Sequence, residues 1–313
     1  MSTLSRHLED YLALRRRLGF KLIDVGRALH AFVLFARGRK ASFITTNLAL
    51  LWATQPTGCH PARRATRLRA VRGFAGYLSG LDVRTEIPPQ GLLPHRYRRK
   101  TPYFYSDQQV RQLVVAAERL PGPNQFRAAT YATLFGLLAV TGMRIGEALN
   151  LDRNDVDADQ PFLTVYRGKN EKSRLVPLHA TTHTKLMDYL RLRDKVCPKP
   201  NCRTFFISEQ GSRLTHVTVS YWFIHISRQI GLRRPTDRVG PRIHDLRHRF
   251  AMNTILNWYR KDIDVEVHLP QLATYLGHGH VADTYWYISA TPELLSLASK
   301  RLKCPRARGG QST

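Results

Sequence analysis

Cysteine is scarce in this chain: Cys59, Cys197, Cys202 and Cys304 are the only four in 313 residues. So few thiols in so long a chain do not make a disulfide framework, and free thiols are expected. Cys197 and Cys202 have four residues between them and no histidine pair at finger spacing, so a zinc site is not expected there. Long apolar runs are also missing. No stretch approaches the roughly 18 residues a membrane-spanning helix needs. The polar start, Met1-Ser-Thr-Leu-Ser-Arg-His, does not read as a secretory signal, and a cytoplasmic location without membrane contact is expected. Acidic residues are few: 23 Asp and Glu stand against 49 Lys and Arg, a net charge of +26. Such an excess describes partners rather than fold. It favours a polyanion, nucleic acid first, over a basic ribosomal or membrane-surface role. Neither Gly-x-x-x-x-Gly-Lys-Ser/Thr nor His-Glu-x-x-His occurs, which removes the phosphate-loop and zinc-protease readings.

What is present suffices for real cores. Hydrophobic residues make up 43%, and the length allows one large domain or, better, two. Residues 3–80 read as helices. Leu4, Leu8, Tyr11, Leu12 and Leu18 recur at helical spacing up to Gly19, and Val25, Leu29, Phe32, Val33 and Phe35 form a second stripe. A short helix is expected around Leu48 to Trp52. A fourth begins at Pro61 and carries Leu68, Val71, Phe74, Ala75 and Leu78. Arg63, Arg64, Arg67, Arg69 and Arg72 decorate it. They are either a solvated face or, in so basic a chain, phosphate contacts.

The expected division is a helical domain over 1–87, a basic proline-containing linker over 88–102, a second domain over 103–303 and a flexible tail over 304–313. The linker holds Pro88, Pro89, Pro94 and the run His95-Arg-Tyr-Arg-Arg-Lys100, so Arg98, Arg99 and Lys100 are further candidates for a phosphate backbone.

In the second domain, Ser106 with Gln109 is a capping-box signal, and 126–140 reads as a buried helix. Strands are expected over 162–166 and 173–177, flanking the polar turn Arg167-Gly-Lys169-Asn-Glu-Lys172. Helices are expected over 180–195 and 215–230, from His244 to Trp258, and over 270–276, where Gly277 stops the helix. A short strand is expected over 204–207, and a last helix from Thr291-Pro292 to Leu302. The fold class is mainly α with a small antiparallel β-sheet (α+β).

Several residues could carry chemistry, and each has an ordinary alternative. His244 and Arg247, at i and i+3, share a helix face and could meet one anion near the helix start, or be a plain surface helix. Arg144 precedes Glu147 by three and could be oriented by it, or form a structural ion pair. Lys169 and Lys172 sit on a hairpin tip, where lysines are usually solvated. His278 follows Gly277 at a helix end, and Tyr287 lies in an aromatic stretch that could be core. Asp152, Asp155, Asp157 and Asp159 crowd one segment. They read as a loop before the hairpin rather than as a metal nuclease site.

The order of these residues is more informative than any one of them. Thr141-Gly-Met-Arg144-Ile-Gly-Glu147, a hairpin lysine, His244-Asp-Leu-Arg247, Leu276-Gly-His278 and a tyrosine nine residues later resemble the tyrosine recombinase (phage integrase) family over residues 103–303. The N-terminal helices resemble, less specifically, that family's core-binding, SAM-like domain. The resemblance implies Arg144, Lys169, His244, Arg247 and His278 as catalytic residues and Tyr287 as nucleophile, with Lys172 as the fallback lysine. Tyr275 and Tyr285 compete with Tyr287 but are wrongly spaced, and Ser289 stands near where the family often has histidine.

The implied reaction is attack on a phosphodiester to give a 3′-phosphotyrosyl ester, with no cofactor and no metal. Tyrosine, with an ordinary pKa of about 10, must lose its proton as it attacks. A histidine could assist, paired arginines could clamp the charge gathering on the nonbridging oxygens, and a lysine could protonate the leaving oxygen. The implied partner is double-stranded DNA, held on two sites by a homo-tetramer or by an assembly with related recombinases. The implied role is that of a mobile-element recombinase or integrase, and the compact N-terminus favours a simple recombinase. A dimer-resolving recombinase, a type IB topoisomerase-like enzyme and a non-catalytic DNA-binding factor are the alternatives. Leucines 294, 295, 297 and 302 could dock the last segment on a neighbouring protomer.

Overall fold

The computed structural model describes residues 3–93, 101–166, 173–287, 295, 296 and 299. The chain divides into two compact units, Met1–Lys100 and Thr101–Thr313. Both are mainly helical, and the named strands among the described residues form one two-stranded antiparallel sheet.

The first unit contains α1 (Thr3–Arg17), α2 (Ile23–Gly38), α3 (Thr46–Thr54) and α4 (Pro61–Leu78). The helical stripes meet in a core that includes Leu8, Leu12, Leu29, Phe32, Trp52 and Phe74, each 2% exposed or less. Local signals set the starts. Thr45 Oγ1 accepts from Leu48 N at 3.1 Å ahead of α3, and Pro61 occupies the first turn of α4, where its missing N–H costs nothing. After α4 the chain is held to its own unit: Glu86 N donates to Ile44 O at 2.8 Å and Arg72 Nε to Pro88 O at 2.8 Å.

The second unit contains α5 (Asp107–Glu118), α6 (Phe126–Thr141), α7 (Ile145–Asn150), β1 (Phe162–Val165), β2 (Arg174–Pro177), α8 (Ala180–Val196), α9 (His216–Gln229), α10 (Ile243–Arg260), α11 (Val265–Leu276) and α12 (Ala282–Tyr285). The capping box starts α5: Ser106 Oγ accepts from Gln109 N at 3.1 Å, and Gln109 Oε1 accepts from Ser106 N at 3.0 Å. α6 is apolar on nearly all sides and is packed among α5, α8 and α10, as an all-round hydrophobic helix must be. β1 and β2 pair from Phe162 opposite Pro177 to Val165 opposite Arg174.

Two expectations need correction. The 204–207 segment is not a strand. Its backbone groups go instead to a bridge with Asp152, to the buried Arg193 guanidinium (Nη2 to Thr204 O, 3.0 Å), to Leu151 O and to the Tyr189 hydroxyl. Phe205, Phe206 and Ile207 are apolar because they are core, not because they alternate across a sheet. The helix expected over 270–276 begins at Val265, five residues earlier. Asp264 Oδ1 caps it through Glu266 N at 3.0 Å, and Pro270 is tolerated inside at the loss of one backbone donor.

The aspartate-rich segment is a loop. Asp155 Oδ2 accepts from Asp152 N at 2.8 Å, and Asp157 Oδ1 from Asp159 N at 2.9 Å and Gln160 N at 2.8 Å. Cys59, Cys197 and Cys202 are free thiols. Leu295 and Ser296 are helical, whereas the Thr291-Pro292 start, Leu294, Leu297 and Leu302 lie outside the described residues. No helix among the described residues is long and apolar enough to cross a membrane.

Candidate active site

Arg144 is placed by a break between two helices. α6 ends at Gly142, which takes the left-handed φ of +61°, and Arg144 then caps α7 in extended geometry. Glu147, in the first turn of α7, accepts from Arg144 N at 2.9 Å through Oε2 and from Arg144 Nη1 at 2.8 Å through Oε1. The carboxylate thus fixes the backbone and the fork of the same arginine. Glu147 is 7% exposed. Burial alone would raise its pKa, but hydrogen bonds from Arg174 and Arg144 outweigh that and hold it below the ordinary carboxylate range.

Arg247 comes from the first turns of α10, two residues after the buried Asp245, which accepts from Arg242 N at 2.9 Å at the helix start. Its guanidinium is 2% exposed. It donates through Nη1 to Gly142 O at 2.9 Å and through Nη2 to Leu276 O at 2.7 Å. Burial, with Arg144 adding to it, lowers its pKa to about 10, so it stays cationic at neutral pH.

The end of α11 is the meeting point. Gly277 adopts φ +67°, and His278 N reaches back to Ala273 O at 2.9 Å, closing the helix in a Schellman turn. The last carbonyls stay free to accept from arginines. Tyr275 O takes Arg174 Nε at 2.7 Å, Leu276 O takes Arg247 Nη2 at 2.7 Å and Arg144 Nη1 at 3.4 Å, and Gly277 O takes Arg144 Nη2 at 2.9 Å. Cations suit this negative end of the helix. A side chain at 277 would collide with them: its Cβ would lie 2.8 Å from Arg174 Nη1 and 3.4 Å from Arg144 Nη1. Two of these guanidiniums, Arg144 and Arg174, share one buried carboxylate while Arg247 joins them at the same helix end, leaving an excess of positive charge.

His278 Nδ1 lies 2.8 Å from Thr284 Oγ1, and Tyr287 N donates to Thr284 O at 3.0 Å. Tyr287 is 2% exposed. Its ring stacks on His278 at 6.2 Å and meets His248 and Trp286 edge to face at 5.5 and 5.4 Å. His248 in turn meets His244 at 4.7 Å. Desolvation pushes all three histidines down to about 4, with Arg247 the next cause for His244 and His278, and His244 the next for His248. His244 is exposed, so desolvation weighs less on it than on the half-buried His248 and His278, but the direction is the same. At neutral pH the three are uncharged and each has a ring nitrogen able to accept a proton.

The structure thus brings Arg144, Glu147, Arg247, His278 and Tyr287 together, with His244 alongside through His248. Tyr275 stacks on Phe250 at 5.5 Å, and burial pushes its pKa up to about 12; Tyr285 is exposed. Lys169, Lys172, Arg98, Arg99 and Lys100 lie outside the described residues. The α4 arginines divide. Arg63 is exposed, Arg64 Nη2 donates to Pro56 O at 3.1 Å, and Arg67 donates to Trp52 O at 2.8 Å while lying over that tryptophan's ring. Sequence reasoning missed Arg174, His248 and Trp286. The last two adjoin marked residues, Arg247 and Tyr287, and Arg174 opens the second strand of the hairpin.

Comparison with known proteins agrees with this geometry. The phage integrase family profile matches residues 104–293. The Sinorhizobium fredii protein y4rB, which carries the name integrase/recombinase, is 47% identical over 97% of this chain and 98% of its own length. The tyrosine recombinase XerC of Erythrobacter litoralis is 28% identical over 81% of this chain and 77% of its own. A solved structure of the Tn1549 transposon integrase with transposon right end DNA has a TM-score of 0.65 at 15% identity, covering 97% of this chain and all of that one. At that identity the likeness is one of fold.

Proposed function

Because this chain belongs to the phage integrase family of tyrosine recombinases, we propose that it is a site-specific recombinase or integrase of a mobile element, acting on duplex DNA. One observation carries the reading: Arg144 and Arg247, from different helices, both reach Leu276 O at the turn that holds His278, with Tyr287 stacked on that histidine. Two forks and a phenol gathered around one turn suit a single phosphate group.

In this reading the Tyr287 oxygen attacks phosphorus, the bond from phosphorus to the 5′-oxygen breaks, and a 3′-phosphotyrosyl ester remains. The phenolic proton passes to a neutral histidine, His278 or His244. Arg144 and Arg247 trade carbonyl contacts for the nonbridging oxygens, where charge develops. Lys169, which lies between β1 and β2 in sequence, protonates the leaving 5′-oxygen. The ester conserves the bond, so the freed or an exchanged 5′-hydroxyl reverses the step without an energy source. Since Tyr287 is buried, the segment between His278 and Tyr287 shifts before attack. The net charge of +26 and the exposed Arg63 supply sequence-independent attraction to the DNA backbone. The working assembly is a homo-tetramer on two sites in the cytoplasm, with the helical unit over 1–87 joined by a linker to the catalytic domain.

The test uses a pool of nicked duplexes with a randomised core, in which the nicked strand diffuses away after cleavage and traps the enzyme. Wild type is expected to become covalently attached to a subset. Tyr287→Phe should bind that subset and trap none of it. Covalent attachment of Tyr287→Phe would show that the nucleophile is another residue, and no trapping by wild type would end the reading. Exchange between two trapped-site duplexes, rather than relaxation of one supercoiled plasmid, separates a recombinase from a topoisomerase-like enzyme.

A further inference from the structure

Among the guanidiniums described at the site, Arg174 is left without a task by the functional reading. It is the first residue of β2, its backbone set opposite Val165 by the hairpin ladder. Its side chain leaves the hairpin and joins two other elements. Nη2 donates to Glu147 Oε2 at 2.7 Å and Nη1 to Glu147 Oε1 at 3.2 Å, a fork-to-fork pair, while Nε donates to Tyr275 O at 2.7 Å. The pair is enclosed, with the two side chains 11% and 5% exposed. Glu147 Oε1 is shared, since it also takes Arg144 Nη1 at 2.8 Å.

We propose that Arg174 is a positioning residue for the cleavage reaction. It holds the Glu147 carboxylate in the plane that orients the Arg144 guanidinium, and it ties that carboxylate to the end of α11. The geometry demands arginine. A planar fork can pair both carboxylate oxygens while its third nitrogen reaches a carbonyl on the far side, and an ammonium cannot span the two. Without Arg174, Glu147 keeps only its two bonds to Arg144, loses its tie to the hairpin and to the end of α11, and holds the Arg144 guanidinium less firmly. Displacing a clamping group by about 1 Å costs on the order of 100-fold in rate. The inference rests on the reading of Arg144 and Tyr287 given above.

The test is a double-mutant cycle on covalent trapping, with a nicked duplex selected by the wild-type protein as probe. Arg174→Gln should slow trapping about 10- to 100-fold while leaving affinity for the duplex within about twofold. Arg174→Lys should recover part of the rate. The decisive comparison is with Arg144→Ala. If Arg174 acts through Arg144, Arg144→Ala with Arg174→Gln traps no more slowly than Arg144→Ala alone. A merely structural role, or a direct phosphate contact by Arg174, would make the two losses multiply, and either that result or a wild-type rate for Arg174→Gln overturns the proposal. Should Arg174→Gln unfold, the cycle is run with Arg174→Lys, which keeps the charge. Wild type that traps no duplex defeats the reading of the site and the inference with it.

Discussion

His278 and Thr284 are joined side chain to side chain across the turn between α11 and α12, with His278 Nδ1 2.8 Å from Thr284 Oγ1. Thr284 is fully buried, and its carbonyl accepts from Tyr287 N at 3.0 Å. One threonine therefore sets the ring of the proposed proton acceptor and begins the turn that carries the proposed nucleophile. The bond also directs the ring's other nitrogen, Nε2, away from the turn.

Thr284→Val keeps the shape and removes the hydroxyl. It leaves His278 Nδ1 without its partner, at a cost of about 1–3 kcal/mol. Covalent trapping is expected to fall about tenfold or more with the protein still folded, and Thr284→Ser should restore it. Trapping by Thr284→Val at the wild-type rate would show that His278 needs no such partner.

Gly277 and Gly19 separate two effects of adding a methyl group. Both have positive φ, +67° and +87°, so alanine at either pays roughly 1–2 kcal/mol for the left-handed conformation. At Gly19 the new Cβ meets nothing within 4 Å, whereas at Gly277 it meets Arg174 Nη1 at 2.8 Å. That guanidinium is pinned on Glu147 and Tyr275 O and cannot yield without moving them. Gly19→Ala should lower the melting temperature and leave trapping unchanged. Gly277→Ala should lower both the melting temperature and the trapping rate, and equal trapping by the two variants would count against the arginine cluster.

Much of this site was legible because its residues mark helix ends. Gly142 and Gly277 stop helices, Arg144 and His278 follow them closely, and the His244–Arg247 pair opens α10. Arg174 was not legible. Its partners are 27 residues before it and 101 after it, and one more arginine in a chain with 49 basic residues gives no local signal. The apolar 204–207 run was misread for a related reason. A buried segment whose backbone is satisfied partly by side chains and by isolated backbone contacts has no period of its own, and a strand and a core loop then look alike.

The histidines give stability a pH dependence of definite sign. His248 and His278 are neutral in the fold down to about 4, while in the unfolded chain they titrate near 6.5. Above pH 6.5 neither state binds the proton and their contribution is complete. As pH falls from 6.5 toward 4, the unfolded chain takes up protons that the fold refuses, and stability is lost. Glu147, held low by Arg174 and Arg144, adds a loss in the same direction only below about 4.5. His30 in the first unit runs the other way. The Gly26 carbonyl, and then Glu9, raise its pKa, so its contribution fades above 6.5. Melting should therefore move to lower temperature between pH 6.5 and 4.5, and His248→Asn should flatten that slope. A wild-type melting temperature constant across this window would contradict the burial of these rings.

The arginines of α4 should divide by function as they divide by placement. Arg67, half-buried against the first unit's core, lies 3.6 Å above the centre of the Trp52 ring and donates to Trp52 O at 2.8 Å. Arg67→Ala removes both contacts and should cost about 1–3 kcal/mol of that unit's stability. Arg63 is exposed, so Arg63→Ala should leave stability within about 0.5 kcal/mol. Its effect should appear in DNA binding measured against salt. Losing one phosphate contact lowers the slope of log affinity against log salt by about 0.9 and weakens all sequences alike. An unchanged slope for Arg63→Ala would remove it from the DNA interface. A reduced slope for Arg67→Ala, with stability intact, would mean that the ring stack opens and the guanidinium turns outward when DNA is bound.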